Sequence, residues 1–213
     1  MSLYVPPHFR ATDPDQALRL MDEHPFAMLI SQDGTGEPFV SHLPLLAERS
    51  ADNTVRLTGH MSRHNDQWRH FQTHPSALAV FRGPHAYVSP TWYQTHDVPT
   101  WNYVVVHVRG PVRLVEDHRA LVRLLARMSE RFEGTAEGAW RFGLPDDLRS
   151  PADLTAAIVG FELQAETVDT KLKLSQNRSD ADRRGVERGL LARGGEAASQ
   201  VLEWMRRLRA PGR

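Results

Sequence analysis

A chain of 213 residues, 40% hydrophobic and 24% charged, has enough apolar content for the core of one moderate domain and is not disordered as a whole. Lysine plus arginine balances aspartate plus glutamate at 26 each, so overall charge points to no class of partner. Without cysteine the chain has no disulfides, thiolate zinc sites or cysteine nucleophiles, and no apolar run approaches membrane-spanning length. The first residues lack the basic-then-apolar order of a secretory signal, so the expected location is cytoplasmic.

Leu3 to Phe9 reads as extended because of Pro6-Pro7. A helix follows, with Thr12 or Asp13 as cap, Pro14 at its first position and Ala17, Leu18 and Met21 inward; His24-Pro25 ends it. Phe26 to Ser31 is an apolar strand closed by the turn Asp33-Gly34-Thr35-Gly36, and Phe39 to Ala47 is the return strand, bent at Pro44. Val55 to Thr58 alternates as a half-buried strand, which makes a three-stranded antiparallel meander of the first third.

In GHMSRHNDQW (Gly59 to Trp68) a strand ends at glycine and a helix capped by Asn65 spans Asp66 to Phe71. Ser62, Arg63 and His64 stand at this corner, and a guanidinium fork suits phosphate oxygens. The plainer alternative is a helix cap with a solvated arginine.

Short strands are expected at Ala77 to Phe81 and Ala86 to Ser89, parted by Gly83-Pro84. The stretch from Arg82 to Gly110 holds three of the four tyrosines and two of the five tryptophans. Its loop of proline and aromatic residues provides flat apolar area with polar handles, as a pocket wall or an oligomer interface requires; a covered lid over the sheet is the other possibility. Tyr103 to Val115 is the longest strand, with a bulge or bend at Gly110-Pro111. A helix runs through Leu121, Leu124, Leu125 and Met128, Gly134 to Ser150 is loop, and Ala157 to Val168 is a closing strand. From Lys171 onward eleven basic residues face five acidic ones: a basic loop, KLKLSQNR, then helices at Ala181 to Leu191 and Ala197 to Leu208.

Other chemistries find little support. Nine of the eleven histidines lie between His24 and His107, but no pair has zincin spacing and no metal is expected. There is no G-x-S-x-G elbow, G-x-G-x-x-G or Walker loop, and no helix-turn-helix or zinc-finger signature.

The blocks YVPPHF, PFAMLIS, SHLPLL, GHMSRHNDQW, FRGPHAYVSPTWY, VPTWNYVVVHVRG, AIVGFEL and KLSQNRSDADRRGV, collinear from Tyr4 to about Leu190, resemble the FMN-binding negative transcriptional regulator family, the PaiB proteins. The resemblance implies a mainly β chain with flanking helices (α+β): an antiparallel split β-barrel of the FMN-binding type, working as a homodimer with FMN at the subunit interface. The barrel would span residues 1–170, with a basic helical extension at 171–213.

Carried over residue by residue, Ser62-Arg63 looks like the flavin phosphate clamp, with Gly59, His60, Met61, His64 and Asn65 around it. His42 and Leu43 would lie along the cofactor, Trp101 and Asn102 would approach the ring system, and Lys173, Gln176, Asn177 and Arg178 would close the site. The chain departs from the family in a shorter loop from Tyr93 to Val98, and in Thr170-Lys171-Leu172, where the family usually has Gly-Lys and an aromatic residue that would stack on a flavin. The implied function is an FMN-binding regulator that contacts DNA. The alternatives are a small FMN-dependent oxidoreductase or flavin reductase with a nicotinamide or other small-molecule electron donor, and then a haem-handling relative with His60 or His64 as ligand. No residue is singled out as a catalytic acid or base.

Overall fold

The computed structural model describes residues 3–50, 52–95, 97–134, 136–142 and 151–209. Its elements, in chain order, are α1 (Pro14–Glu23), β1 (Phe26–Gln32), β2 (Pro38–Pro44), β3 (Leu46–Arg49), β4 (Val55–Ser62), α2 (Gln67–Thr73), β5 (Ser76–Val88), β6 (Thr100–Val115), α3 (His118–Glu133), α4 (Pro151–Ala156), β7 (Ile158–Gln164), β8 (Thr167–Lys173), α5 (Asp180–Arg193) and α6 (Glu196–Arg207). Among the described residues the strands form one open sheet in the order β2-β1-β5-β6-β7-β4-β3, with β8 also on β6. β1 pairs antiparallel with both β2 and β5, and β4 with both β3 and β7. No described helix is long and apolar enough to cross a membrane.

Several expectations change in the folded chain. The expected return strand breaks after Pro44 into β2 and β3, which are the two edge strands of the sheet. The first third is therefore two hairpins, β1–β2 and β3–β4, rather than a meander. Proline at both ends of β2 suits an edge, where a missing N–H leaves no ladder bond unmade. β4 does not stop at Gly59 but pairs with β7 as far as Ser62.

β5 runs unbroken through Gly83-Pro84, and the glycine serves packing: a Cβ there would lie 2.5 Å from Leu20 Cδ1 on α1. At Gly110 a Cβ would lie 1.8 Å from the Gln164 carbonyl oxygen, so close backbone approach, not a bulge, accounts for that glycine. The expected closing strand breaks at Ala165-Glu166 into β7, which pairs with β4 and β6, and β8, which pairs with β6. On α1 the inward residues are Ala17, Leu20 and Met21; Leu18 is only half-buried.

The chain divides into two compact units, and β5 and β6 have one end in each. One comprises residues 25–81 and 107–168. Its core holds Leu29, Leu45, Leu57, Met61, Phe71, Phe81, Phe161 and Leu163. Gln67, fully buried on α2, donates to the Leu29 and Phe39 carbonyls and to Ser31 Oγ, which holds α2 on the β1–β2 hairpin. The other comprises residues 1–24, 82–106 and 169–213. Leu20, Met21, Val104, Leu172, Leu174, Val186, Leu190, Val201 and Trp204 are buried there.

Candidate functional site

In the first of these units β4 brings the phosphate-clamp candidates to its end. Alternation along the strand turns Leu57, Gly59 and Met61 to the core, with Met61 only 1% exposed. Gly59 and Met61 therefore have only backbone to offer a ligand. Arg63 follows directly on the strand. Its Nε donates to the Ala156 carbonyl (3.3 Å), one terminal nitrogen to Glu116 Oε1 (3.1 Å) and the other to the Ile158 carbonyl (3.1 Å). The guanidinium stands 5.7 Å from the Trp68 ring, whose N–H donates to the Arg63 carbonyl.

A guanidinium has five N–H groups, so two remain on Arg63 beyond these bonds. Ser62 Oγ accepts the His64 N–H (3.2 Å). Asn65 donates to Ser41 Oγ and accepts the Gln67 N–H, which opens α2. His60 stands two residues before Ser62; its Nδ1 is buried without a partner, and burial holds the imidazole below the usual histidine value. On β2, His42 is exposed and stacked on Phe26 with ring centres 6.3 Å apart, while Leu43 is half-buried.

The ring-wall candidates belong to the second unit. Trp101 on β6 is 51% exposed, with His85 and Tyr87 of β5 each 6.0 Å away, centre to centre. The Arg193 guanidinium covers both Tyr87 (5.2 Å) and Trp92 (4.8 Å) and donates to the Tyr87 carbonyl. Next to Trp101, Asn102 is 1% exposed; it donates to Ser175 Oγ (3.0 Å) and accepts from it (3.1 Å). This exchange braces Ser175, whose φ of 66° is unusual for a residue with a side chain. The side chain of Asn102 is thus a support for the shelf carrying Trp101, not a surface of it.

The KLSQNR segment is tied down in the same way. Lys173 Nζ donates to Thr100 Oγ1, Gln176 bonds the backbone of Leu172 and Leu174, and Arg178 pairs with Asp97 while lying 4.8 Å from the Tyr93 ring. Asn177 is exposed. Leu172, which stands where the family usually has an aromatic residue, is 1% exposed and belongs to the core. Lys171 is buried between the rings of Tyr4 and Tyr103 and donates to the Tyr4 carbonyl, anchoring the amino-terminal arm.

Sequence reasoning missed three parts of this arrangement: Glu116 as the partner of Arg63, the His85–Tyr87–Arg193 surround of Trp101, and Asp182. Asp182 accepts the Gln94 N–H (2.7 Å) and bonds Thr95 Oγ1 and Ser179 Oγ, while Ser179 accepts the Asp182 N–H. Ser179-x-x-Asp182 is a capping-box spacing and was legible as such; its grip on a loop 88 residues earlier was not.

Sheet, helices and edge strands are those of the split-barrel flavin-binding fold. The chain belongs to the family described as "Putative FMN-binding domain", whose model matches residues 3–167. It is 33% identical over 205 residues to the protease synthase and sporulation protein PAI 2 of Bacillus subtilis, covering 95% of this chain and 96% of that one. Among solved structures it is similar to the flavocytochrome Anf3 of Azotobacter vinelandii, with a TM-score of 0.62, 16% identity, and coverage of 79% of this chain and 72% of that one. A FAD- and heme-binding protein of Mycobacterium smegmatis superposes with a TM-score of 0.61 at 17% identity, covering 88% and 80%.

FMN is the cofactor of this family, and the residues present fit it. The Arg63 corner retains two N–H donors beside Ser62 and His64, and a buried His60 nitrogen there has no protein partner. Trp101 is the kind of half-exposed flat surface a ring system requires.

Proposed function

We propose that the chain is an FMN-binding regulator of transcription that works in the cytoplasm as a homodimer. The observation that carries the flavin part is Trp101, half-exposed on a strand whose next residue is locked by Ser175. A rigid flat side chain binds a ring with little loss of side-chain entropy. Arg63, Ser62 and His64 take the phosphate, with His60, Asn65, His42 and Leu43 beside them. In the other unit Lys173, Asn177 and Arg178 border the shelf, and Gln176 and Asn102 hold its backbone. Bound FMN would supply one- or two-electron redox chemistry. The protein binds and orients it and limits the approach of water.

The dimer reading is supported by an apolar sheet face. Met28 stands opposite His42 and Ile30 opposite Val40 on β1 and β2, with Phe26 66% and Val40 45% exposed. A second copy is the occupant we assign to that face, with FMN held where the two copies meet. DNA contact is assigned to the helical extension from residue 171. There Arg184, Arg188 and Arg206 are exposed and have no acidic partner among the described residues. The relative named for protease synthase and sporulation supports a regulatory role.

A second reading, an FMN-dependent oxidoreductase, is favoured by the half-exposed Trp101, a flat surface of the kind on which a nicotinamide ring also stacks.

An FMN titration of purified protein, with its mass in solution, tests the main reading. A dimer with flavin absorption is expected, and Arg63→Ala should weaken FMN binding by about 1.5–3 kcal/mol, the range of a charge-assisted bond. Unchanged affinity would reject the phosphate assignment. A DNA shift that weakens steeply with salt supports the regulator; rapid bleaching of the flavin by reduced nicotinamide supports the oxidoreductase.

A further inference from the structure

Under α3 the sheet leaves a cavity of about 130 Å³ that the flavin reading does not use. Its floor is Thr58 and Phe161, and its roof is Ala120, Leu124, Arg123 and Arg127 on α3. Small side chains at Thr58 and Ala120 leave the space open. Thr58 is 4% exposed and its Oγ1 has no hydrogen-bond partner; two residues earlier on the same strand, Arg56 Nε is likewise buried and unpartnered. A buried hydroxyl with nothing to bond is destabilising, and such groups call for a partner.

The charges around the cavity are unbalanced. Arg56 and Arg127 both bond Glu48, and Arg113 holds Glu162, whose side chain also lines the space. Arg123 has no acidic partner among the described residues. Of the residues that line the space, Arg123 and Arg127 are basic and Glu162 is acidic, and that carboxylate is already engaged by Arg113. A flavin does not fit, since pockets for molecules of that size run from about 300 Å³ upward. The space suits about four waters or one tetrahedral oxyanion.

We infer that this cavity binds a small oxyanion of the phosphate class. The Thr58 hydroxyl and Arg123 donate to its oxygens, and Arg127 adds an N–H that Glu48 leaves free. The lining's net positive charge suits an anion.

The test is a thermal-shift and calorimetric titration of the full chain with inorganic phosphate, against sodium chloride of equal ionic strength, with and without saturating FMN. Phosphate should raise the melting temperature in both states. Arg123→Gln should weaken phosphate binding at least tenfold with FMN affinity unchanged. Thr58→Val, which removes the unpaired hydroxyl at nearly constant volume, should raise the melting temperature without phosphate and lose most of the phosphate response. A phosphate effect that vanishes on FMN saturation would identify the anion with the flavin's own phosphate and overturn a separate site. A response that persists in both variants, or none beyond chloride, would also overturn it.

Discussion

The indole of Trp92 rests on the backbone of Gly189: a Cβ built at Gly189 would lie 2.1 Å from Trp92 Cδ2, and one at Gly185 2.0 Å from the Trp92 carbonyl oxygen. The two glycines, four apart on α5, make the slot into which the aromatic turn fits, and Arg193 closes it from above. Gly189→Ala therefore pits helix propensity against packing. On a free helix the change would stabilise by up to about 1 kcal/mol; here, overpacking should make it a net loss of about 1–3 kcal/mol. Denaturant unfolding decides the sign, and a stabilised variant would refute the slot.

Trp101 presents a different balance. Half of its surface is already in water, and its neighbours His85 and Tyr87 meet it only at ring edges or tilted faces. Trp101→Ala should cost little stability, within about 1 kcal/mol, while FMN affinity falls about tenfold or more, the scale of one aromatic contact. Melting curves and flavin titration on the same preparation separate the effects. A large drop in melting temperature would make the shelf a structural lid.

Stability should also depend on mild acid. Burial lowers the proton affinity of His60 and His24 in the folded chain, whereas the unfolded chain keeps the ordinary histidine value near 6.5. Below that value the unfolded state binds protons that the folded state refuses. The stabilisation is complete above pH 6.5 and is lost as pH falls towards the lowered folded values. His60→Gln, neutral at every pH, should flatten part of that slope. Urea unfolding between pH 7.5 and 5 measures it, and an unchanged slope would exclude His60 as a contributor.

Asp182 predicts a local effect. The Gln94 N–H and the hydroxyls of Ser179 and Thr95 hold its carboxyl below the usual carboxylate range. Replacing it with Asn substitutes an N–H₂ donor for an acceptor that faces donors. Hydrogen exchange at Gln94 and at the start of α5 should speed up in Asp182→Asn while the β4–β7 ladder stays protected. Unchanged exchange at Gln94 would show that the loop holds without this carboxylate.

Much of the fold was legible because its signals are local. Asp13 and Pro14 open α1, Asp117 opens α3, and apolar spacing marks α3 and α6, each set by neighbours within a turn or two of chain. The family blocks likewise marked the Arg63 corner and the Trp101 strand. What the sequence could not disclose was how far each group is already engaged. Arg63 spends three donors on Glu116, Ala156 and Ile158, 53 to 95 positions away, and Asn102 is turned inward to Ser175. Pro44 could be read as a bend, but not as the point where the chain passes from one sheet edge to the other. The cavity beneath α3 has no sequence signature, because an unpaired hydroxyl at Thr58 is defined only by what fails to reach it. Caps, periods and prolines are nearest-neighbour chemistry and can be read along the chain. Pairings between distant residues depend on strand register and on chain closure, which only the assembled sheet determines.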